Sequence, residues 1–365
     1  MGDQLEHVSP KSHSGDDEAM VPGSLVNPDV QGAGDYPRLV FVLGAPRSGT
    51  SWFQSTLASL PHAATSPELH YSAEVLRPVL QAWRYRVTGM APVLEALRTG
   101  ADTPDRLIGL PASLEEEDLL AMLQFPIQQI VLSAIKDDPD LRIFVAKTPS
   151  DSLLTPYIRT VFPEARFVHI VRDPRKTVRS LLQASRSWGG SWAPRSAIVA
   201  SLIWRAHVLG AREAAEVGDR YLELRYEDIR ADLPGQLHRV TQMLGLPDEG
   251  VRTPDAHQVL SSAVTAVLGE PELREPPGFG DGTPSRIPLG PFKVWLVEWV
   301  CGDVMTEVGY ELRFPTARRL HPIAQGVFDL AVRSLNRRQK EYVALNLGEF
   351  RILSRLRRPR SARSG

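Results

Sequence analysis

Leu39-Val40-Phe41-Val42-Leu43-Gly44-Ala45-Pro46-Arg47-Ser48-Gly49-Thr50-Ser51-Trp52-Phe53-Gln54-Ser55-Thr56-Leu57 is the stretch that decides the fold. Its first five residues are a short, unbroken apolar run, the pattern of a strand covered on both faces. Two glycines, Gly44 and Gly49, then bracket Arg47. From Thr50 onward apolar side chains recur at three- and four-residue spacing, which predicts a helix. Strand, tight loop and helix therefore follow one another directly. Glycines let a backbone close around a small anion, and the helix behind them aims its unpaired N–H groups at that anion.

The same alternation continues outward. Asp140–Ala146, Arg166–Val171 and Tyr221–Arg225 read as further strands, and helices are predicted over 175–184, 195–216, 234–244 and 292–307. Residues 75–140 carry mostly helical periodicity, with breaks near Gly89 and Gly100, and 270–291 is a Gly/Pro-rich loop. Strands that alternate with helices predict an α/β fold, an open parallel sheet with helices on both faces.

Composition sets the frame. The chain has 365 residues, 42% apolar and 23% charged, which is enough for a core without disulfide or metal staples. Cys301 is the single cysteine, so an intrachain disulfide and a Cys-based zinc site are excluded. The nine histidines form no paired ligand motif, and no metal is expected. Residues 1–36 carry a net charge of −6 and no periodicity, the pattern of a disordered acidic arm. Residues 313–365 read as a basic, partly helical extension; from Glu311 to the last residue the net charge is +9. Its arginines, among them Arg351, Arg355, Arg357, Arg358, Arg360 and Arg363, suit a solvated tail or peripheral contact with an anionic membrane. The reading finds no apolar run of the ~18 residues a membrane span needs. It also finds no secretory signal, so a cytoplasmic setting is expected, with no nucleic-acid partner.

Gly44-x-x-x-x-Gly49-Thr50-Ser51 has the glycine spacing of a P-loop, yet Thr50 stands where a nucleotide triphosphatase needs lysine. The positive charge sits inside the loop, at Arg47. Gly44-Ala45-Pro46-Arg47-Ser48-Gly49-Thr50-Ser51-Trp52 resembles the 5′-phosphosulfate loop of sulfotransferases that use 3′-phosphoadenosine 5′-phosphosulfate (PAPS). A second stretch, Arg172-Asp173-Pro174-Arg175-Lys176-Thr177-Val178-Arg179-Ser180, is similar to that family's 3′-phosphate site, in which an Arg and a Ser eight residues on hold the ribose phosphate. The resemblance spans roughly residues 38–310 and implies one domain, residues 37–312, with the helical insertion covering the acceptor site. It implies donor contacts from Pro46, Arg47, Ser48, Gly49, Thr50 and Ser51. It also implies adenine stacking on Trp52, phosphate contacts from Arg172 and Ser180, and a nucleotide border at Tyr226 in Arg225-Tyr226-Glu227-Asp228. Ser285 and Arg286 would complete the 3′-phosphate site.

Sulfuryl transfer to an alcohol needs a base for the acceptor proton and cations for the charge on the bridging oxygen and the SO₃ group. Arg47 and Lys147 are the candidate cations; Lys147 follows a predicted strand, where open α/β sheets bind ligands. Pro149 occupies the position at which many cytosolic family members carry a catalytic histidine. Glu68, 21 residues beyond Arg47, matches the base of the protein-tyrosine type, and His70 is its competitor. The acceptor is expected to be a sugar, a glycolipid or another hydroxyl-bearing small molecule. Trp83, Tyr85 and Phe125 are candidate walls, and Trp188-Gly189-Gly190-Ser191-Trp192 a candidate closing loop. A P-loop kinase or nucleotide hydrolase and a catalytically inactive nucleotide-binding module are the competing readings. The absent lysine opposes the first, and the joint presence of Arg47, Glu68 and Lys147 the second.

Overall fold

A computed structural model describes residues 36–83, 116–186, 192–246 and 288–315. Five parallel strands form one sheet in the order β2-β3-β1-β4-β5. They are β1 (Arg38–Leu43), β2 (Ala63–Thr65), β3 (Ile143–Ala146), β4 (Arg166–Val171) and β5 (Tyr221–Arg225). The helices are α1 (Thr50–Ala58), α2 (Glu116–Asp137), α3 (Thr155–Val161), α4 (Pro174–Ala184), α5 (Ala197–Arg212), α6 (Tyr226–Ala231), α7 (Leu233–Leu244) and α8 (Pro291–Glu307).

Successive strand side chains point to opposite faces, and both faces are apolar here. Val40, Val42, Ile143, Val145, Val168 and Ile170 meet Phe53 and Leu57 of α1 and Leu237, Val240 and Leu244 of α7. On the other face Phe41, Leu43 and Phe167 meet α2 and α3 through Leu119, Leu123, Ile158 and Val161. Val171 meets Val199, Ile203 and Trp204 of α5 and Val300 and Val304 of α8. Burying each such side chain contributes about 1.5–3 kcal/mol. The expected helices on both faces are thus present, and α8 belongs to the same core as the sheet.

Two elements differ from the sequence reading. β2 is an edge strand of three residues, Ala63-Ala64-Thr65, too short and too small in side chain to stand out as a strand. And α2, 22 residues long, contains an 18-residue stretch with a mean hydropathy of 1.4, long and apolar enough to cross a membrane by length and composition. The sequence reading passed over it because Gln124, Gln128, Gln129 and Ser133 interrupt the apolar run. Leu119, Leu123, Ile127 and Val131 form its buried stripe, and Met122 and Phe125 on its outer side are exposed.

Candidate active site

Every strand's carboxyl end delivers a loop to one edge of the sheet. The loop after β1 is locked first. The Gly44 amide donates to Ser152 Oγ at 2.7 Å, which ties this loop to the turn after β3. Gly44 leaves no room for a side chain: a Cβ there would lie 2.6 Å from the Ile170 carbonyl oxygen. Arg47 has φ 70°, a left-handed conformation that costs a non-glycine residue about 1–2 kcal/mol. Gly49 caps α1 without a side-chain hydrogen bond, and the first turn of α1 contains no acid. The helix N-terminus therefore presents its N–H groups and positive dipole end to the loop. Ser48 Oγ is buried there with no hydrogen-bond partner among the described residues.

The second motif meets the first. Arg172 Nη1 donates to the Arg47 carbonyl at 3.0 Å, and Arg47 Nε donates to Ser180 Oγ at 3.1 Å. Residues more than 120 apart in sequence thus make one cationic patch. Burial, and after it the charge of Arg172, lowers the Arg47 pKa. Arg172 also lies 4.5 Å from the centre of the Tyr226 ring, and its carbonyl accepts from Trp204 Nε1 at 2.8 Å. Asp173 caps α4 by accepting from the Arg175 amide at 2.8 Å. Glu227, next to Tyr226, pairs with Lys176 at 3.1 Å and so holds the end of β5 to the start of α4. Arg172 Nε and Thr177 Oγ1 are buried with no partner among the described residues.

Trp52 projects from α1 beside Tyr226, ring centres 6.2 Å apart and nearly perpendicular. Its face lies under Arg230, whose guanidinium carbon is 5.4 Å from the ring centre. A planar group laid on that face would share it with Arg230.

The third group spans the ends of β2 and β3. Lys147, 4% exposed, forms an ion pair with Glu68, which is 40% exposed. His70 Nε2 lies 3.7 Å from the other Glu68 oxygen, beside the carboxylate as a neighbour. Thr148-Pro149-Ser150-Asp151 opens a short 3₁₀ turn as a reciprocal cap, in which the Thr148 amide donates to Asp151 Oδ2 at 3.0 Å. Burial pushes the Asp151 carboxyl up to about 7, against the lowering pull of Ser72, Thr148 and Lys147. Lys147, Thr148, Asp151, Ser72 and Tyr71 line one pocket with Ile127 of α2, so α2 does flank the Lys147 end of the site.

The structure therefore brings Arg47, Ser48, Gly49, Thr50, Trp52, Arg172, Ser180 and Tyr226 together, and Glu68 with Lys147 beside them. Ser285 and Arg286 lie outside the described residues, as do Tyr85, residues 188–191, the acidic arm up to residue 35 and the extension from residue 316. Phe125 faces outward at 43% exposure, and Trp83 is a core residue. Sequence reasoning missed Ser72, Asp151, Ser152 and Arg230. The Thr148-x-x-Asp151 spacing was a legible capping signal, whereas Arg230 carried none. It also missed that His62, Asp138 and Asp140 come within 4.8 Å of one another at the opposite edge of the sheet.

A glycine loop with an internal arginine, a helix N-terminus behind it and a second arginine at the next strand end define an α/β protein with a cationic cradle at the carboxyl ends of its strands. The model of the sulfotransferase family matches residues 37–250, and the chain belongs to that family. The omega-hydroxy-beta-dihydromenaquinone-9 sulfotransferases Stf3 of Mycobacterium bovis and Mycobacterium tuberculosis are each 28% identical to it over 190 residues, 50% of this chain and 45% of theirs. The match thus spans less than half the length of these relatives. Among solved structures, sulfotransferase STF9 from Mycobacterium avium shares 18% identity at a TM-score of 0.42, covering 78% of this chain and 80% of that one. The sulfotransferase domain of the Synechococcus PCC 7002 olefin synthase shares 20% identity at a TM-score of 0.40, covering 73% and 95%. Neither likeness is close enough to bear on activity.

Proposed function

We propose that the protein transfers the sulfuryl group of PAPS to a hydroxyl-bearing acceptor. In this reading the Gly44–Gly49 loop and the α1 N-terminus hold the 5′-phosphosulfate, and Arg172 with Ser180 holds the 3′-phosphate. Trp52 and Tyr226 border the adenine. Ser48 Oγ, Arg172 Nε and Thr177 Oγ1, buried without partners among the described residues, are the polar atoms that such an anion would satisfy. Glu68 removes the acceptor proton as the acceptor oxygen attacks sulfur. The bond from sulfur to the phosphate oxygen breaks, and adenosine 3′,5′-bisphosphate leaves. Lys147 and Arg47 stabilise the negative charge that develops on the bridging oxygen.

The observation that carries the reading is the Glu68–Lys147 pair. It joins a base and a cation across two strand ends, with the Arg47–Arg172 patch at the ends of the adjoining strands. The acceptor class stays broad in this reading, a sugar, a glycolipid or another small-molecule alcohol. A cytoplasmic setting belongs to the same reading. The test is incubation with radiolabelled PAPS and a panel of glycans, glycolipids, prenols and phenols. The reading requires label on an acceptor from the wild type and its loss in Glu68→Ala, with the nucleotide still bound. Transfer by Glu68→Ala at the wild-type rate removes Glu68 from the role of base.

A further inference from the structure

Lys147 poses an electrostatic difficulty that Glu68 alone does not solve. The ammonium is 4% exposed, and its carboxylate partner becomes neutral once it has taken the acceptor's proton. The charge developing on the bridging oxygen is then its one remaining counter-ion in this reading, and a buried cation with too little opposite charge beside it is costly. A second carboxyl group stands beside it. Asp151 is 3% exposed, lines the same pocket as Lys147, and senses the charges of both Lys147 and Glu68. It is fixed from two sides, by the Thr148 amide at 3.0 Å and by the Ser72 hydroxyl.

We propose that Asp151 is a positioning residue for Lys147. It anchors the peptide that follows the lysine, and it keeps a second negative charge beside the ammonium when Glu68 turns neutral. The proposal rests on the sulfuryl-transfer reading above. The anchoring half follows from the cap: Thr148 is the next residue after Lys147, so a bond to its amide fixes the direction in which the lysine leaves β3. The charge half follows from proton bookkeeping. One proton passes from the acceptor to Glu68, and the cluster of Lys147, Glu68 and Asp151 then keeps one ammonium opposite one carboxylate.

Of the other titratable groups on the elements packed against this turn, Glu74 of the 72–76 segment is exposed and His207 of α5 is buried with its Nδ1 at the Ile203 carbonyl. Tyr71 lines the pocket as a neutral phenol, which burial pushes up to about 12. His70 stands on the far side of Glu68. From the helices packed against the turn, Arg205 and Arg212 of α5 are paired with Asp303 and Glu223, and Arg159 of α3 with Glu216. With its carboxyl raised to about 7, Asp151 changes charge close to neutrality, so its hold on Lys147 weakens below that pH.

Asp151→Asn separates the two halves, because the amide oxygen keeps the bond from the Thr148 amide while the charge is lost. The expected result is a kcat lower by about tenfold or more, with the KM for PAPS changed by less than about twofold. The step near pH 7 in the kcat profile should disappear, and Asp151→Glu should restore part of it. A second measurement does not depend on turnover. In reductively ¹³C-methylated protein, with Lys147 assigned by Lys147→Arg, the Lys147 resonance should shift with a midpoint near 7 in the wild type and lose that step in Asp151→Asn. Wild-type kcat and an unchanged pH profile in Asp151→Asn, or identical Lys147 titrations, overturn the proposal. Absence of any transfer by the wild type instead defeats the sulfuryl-transfer reading, while the Lys147 titration still decides whether Asp151 and Lys147 are coupled.

Discussion

Gly49→Ala tests whether the loop and the Tyr226 motif are one device. An ideal Cβ on Gly49 would lie 2.4 Å from Tyr226 Cε2 and 2.6 Å from Cδ2, far inside contact distance. The backbone is also left-handed there, φ 92°, which costs alanine about 1–2 kcal/mol before any clash. The ring cannot move freely, because Trp52 packs edge-on at 6.2 Å and Arg172 lies over it at 4.5 Å. Losing the aromatic pair costs about 0.5–1.5 kcal/mol and the cation–π contact about 0.5–1 kcal/mol. The expected destabilisation is therefore about 2–4.5 kcal/mol, read from the urea midpoint by tryptophan fluorescence. A double-mutant cycle divides it. In a Tyr226→Ala background the clash is gone and only the backbone strain remains, so the same substitution should cost about 1–2 kcal/mol. Calorimetric titration with adenosine 3′,5′-bisphosphate should show weaker binding in Gly49→Ala than in wild type. An equal cost in both backgrounds, or a single-mutant cost below about 0.5 kcal/mol, refutes the claim that the Tyr226 ring closes on this glycine.

Glu68→Gln, which keeps the shape and loses the base, should lower kcat by about 10²–10⁴-fold in a labelled-PAPS assay while nucleotide affinity stays within a few-fold. Arg172→Ala removes a charged fork, and calorimetry should show nucleotide affinity reduced by about 1.5–3 kcal/mol, with a smaller salt dependence than wild type. His207 of α5 is fully buried, and burial lowers its pKa from 6.5 to about 4, so the folded protein resists the proton that the unfolded chain accepts. Stability should consequently fall as pH drops from about 6.5 towards 4, by up to about 3 kcal/mol. His207→Gln should flatten that slope in urea titrations at pH 7 and pH 4.5, and an unchanged slope assigns the acid sensitivity to other groups.

Much of this arrangement is legible in the chain because its signals are local. The β1 run, the glycine spacing and the helical period of α1 lie within twenty residues, and each predicts the same thing as its neighbours. Arg172 and Ser180 are two helical turns apart, so one guess about a helix start fixes both. What stays hidden depends on distance in sequence. Ser152 holds Gly44 across 108 residues, and no spacing rule joins a serine in a 3₁₀ turn to a glycine in another loop. Glu298 is a sharper case. Its apolar surroundings on α8 predict nothing about a carboxylate, yet it is fully buried and accepts from Arg175 and from the amides of Arg313 and Phe314.

The contrast between Glu68 and Asp151 shows which kind of reading fails. Glu68 is accessible to sequence reasoning because a resemblance supplies its spacing from Arg47 and residues 66–70 read as a strand-to-loop segment, although the strand itself, β2, has only three residues. Asp151 has no such counterpart, and its capping pattern predicts only a turn. Its chemistry arises from burial: a carboxyl group that would ionise at 3.8 in water is held to about 7 because the sheet, α2 and the 71–72 segment exclude solvent around it. Local sequence specifies the cap, and tertiary packing makes the cap titratable.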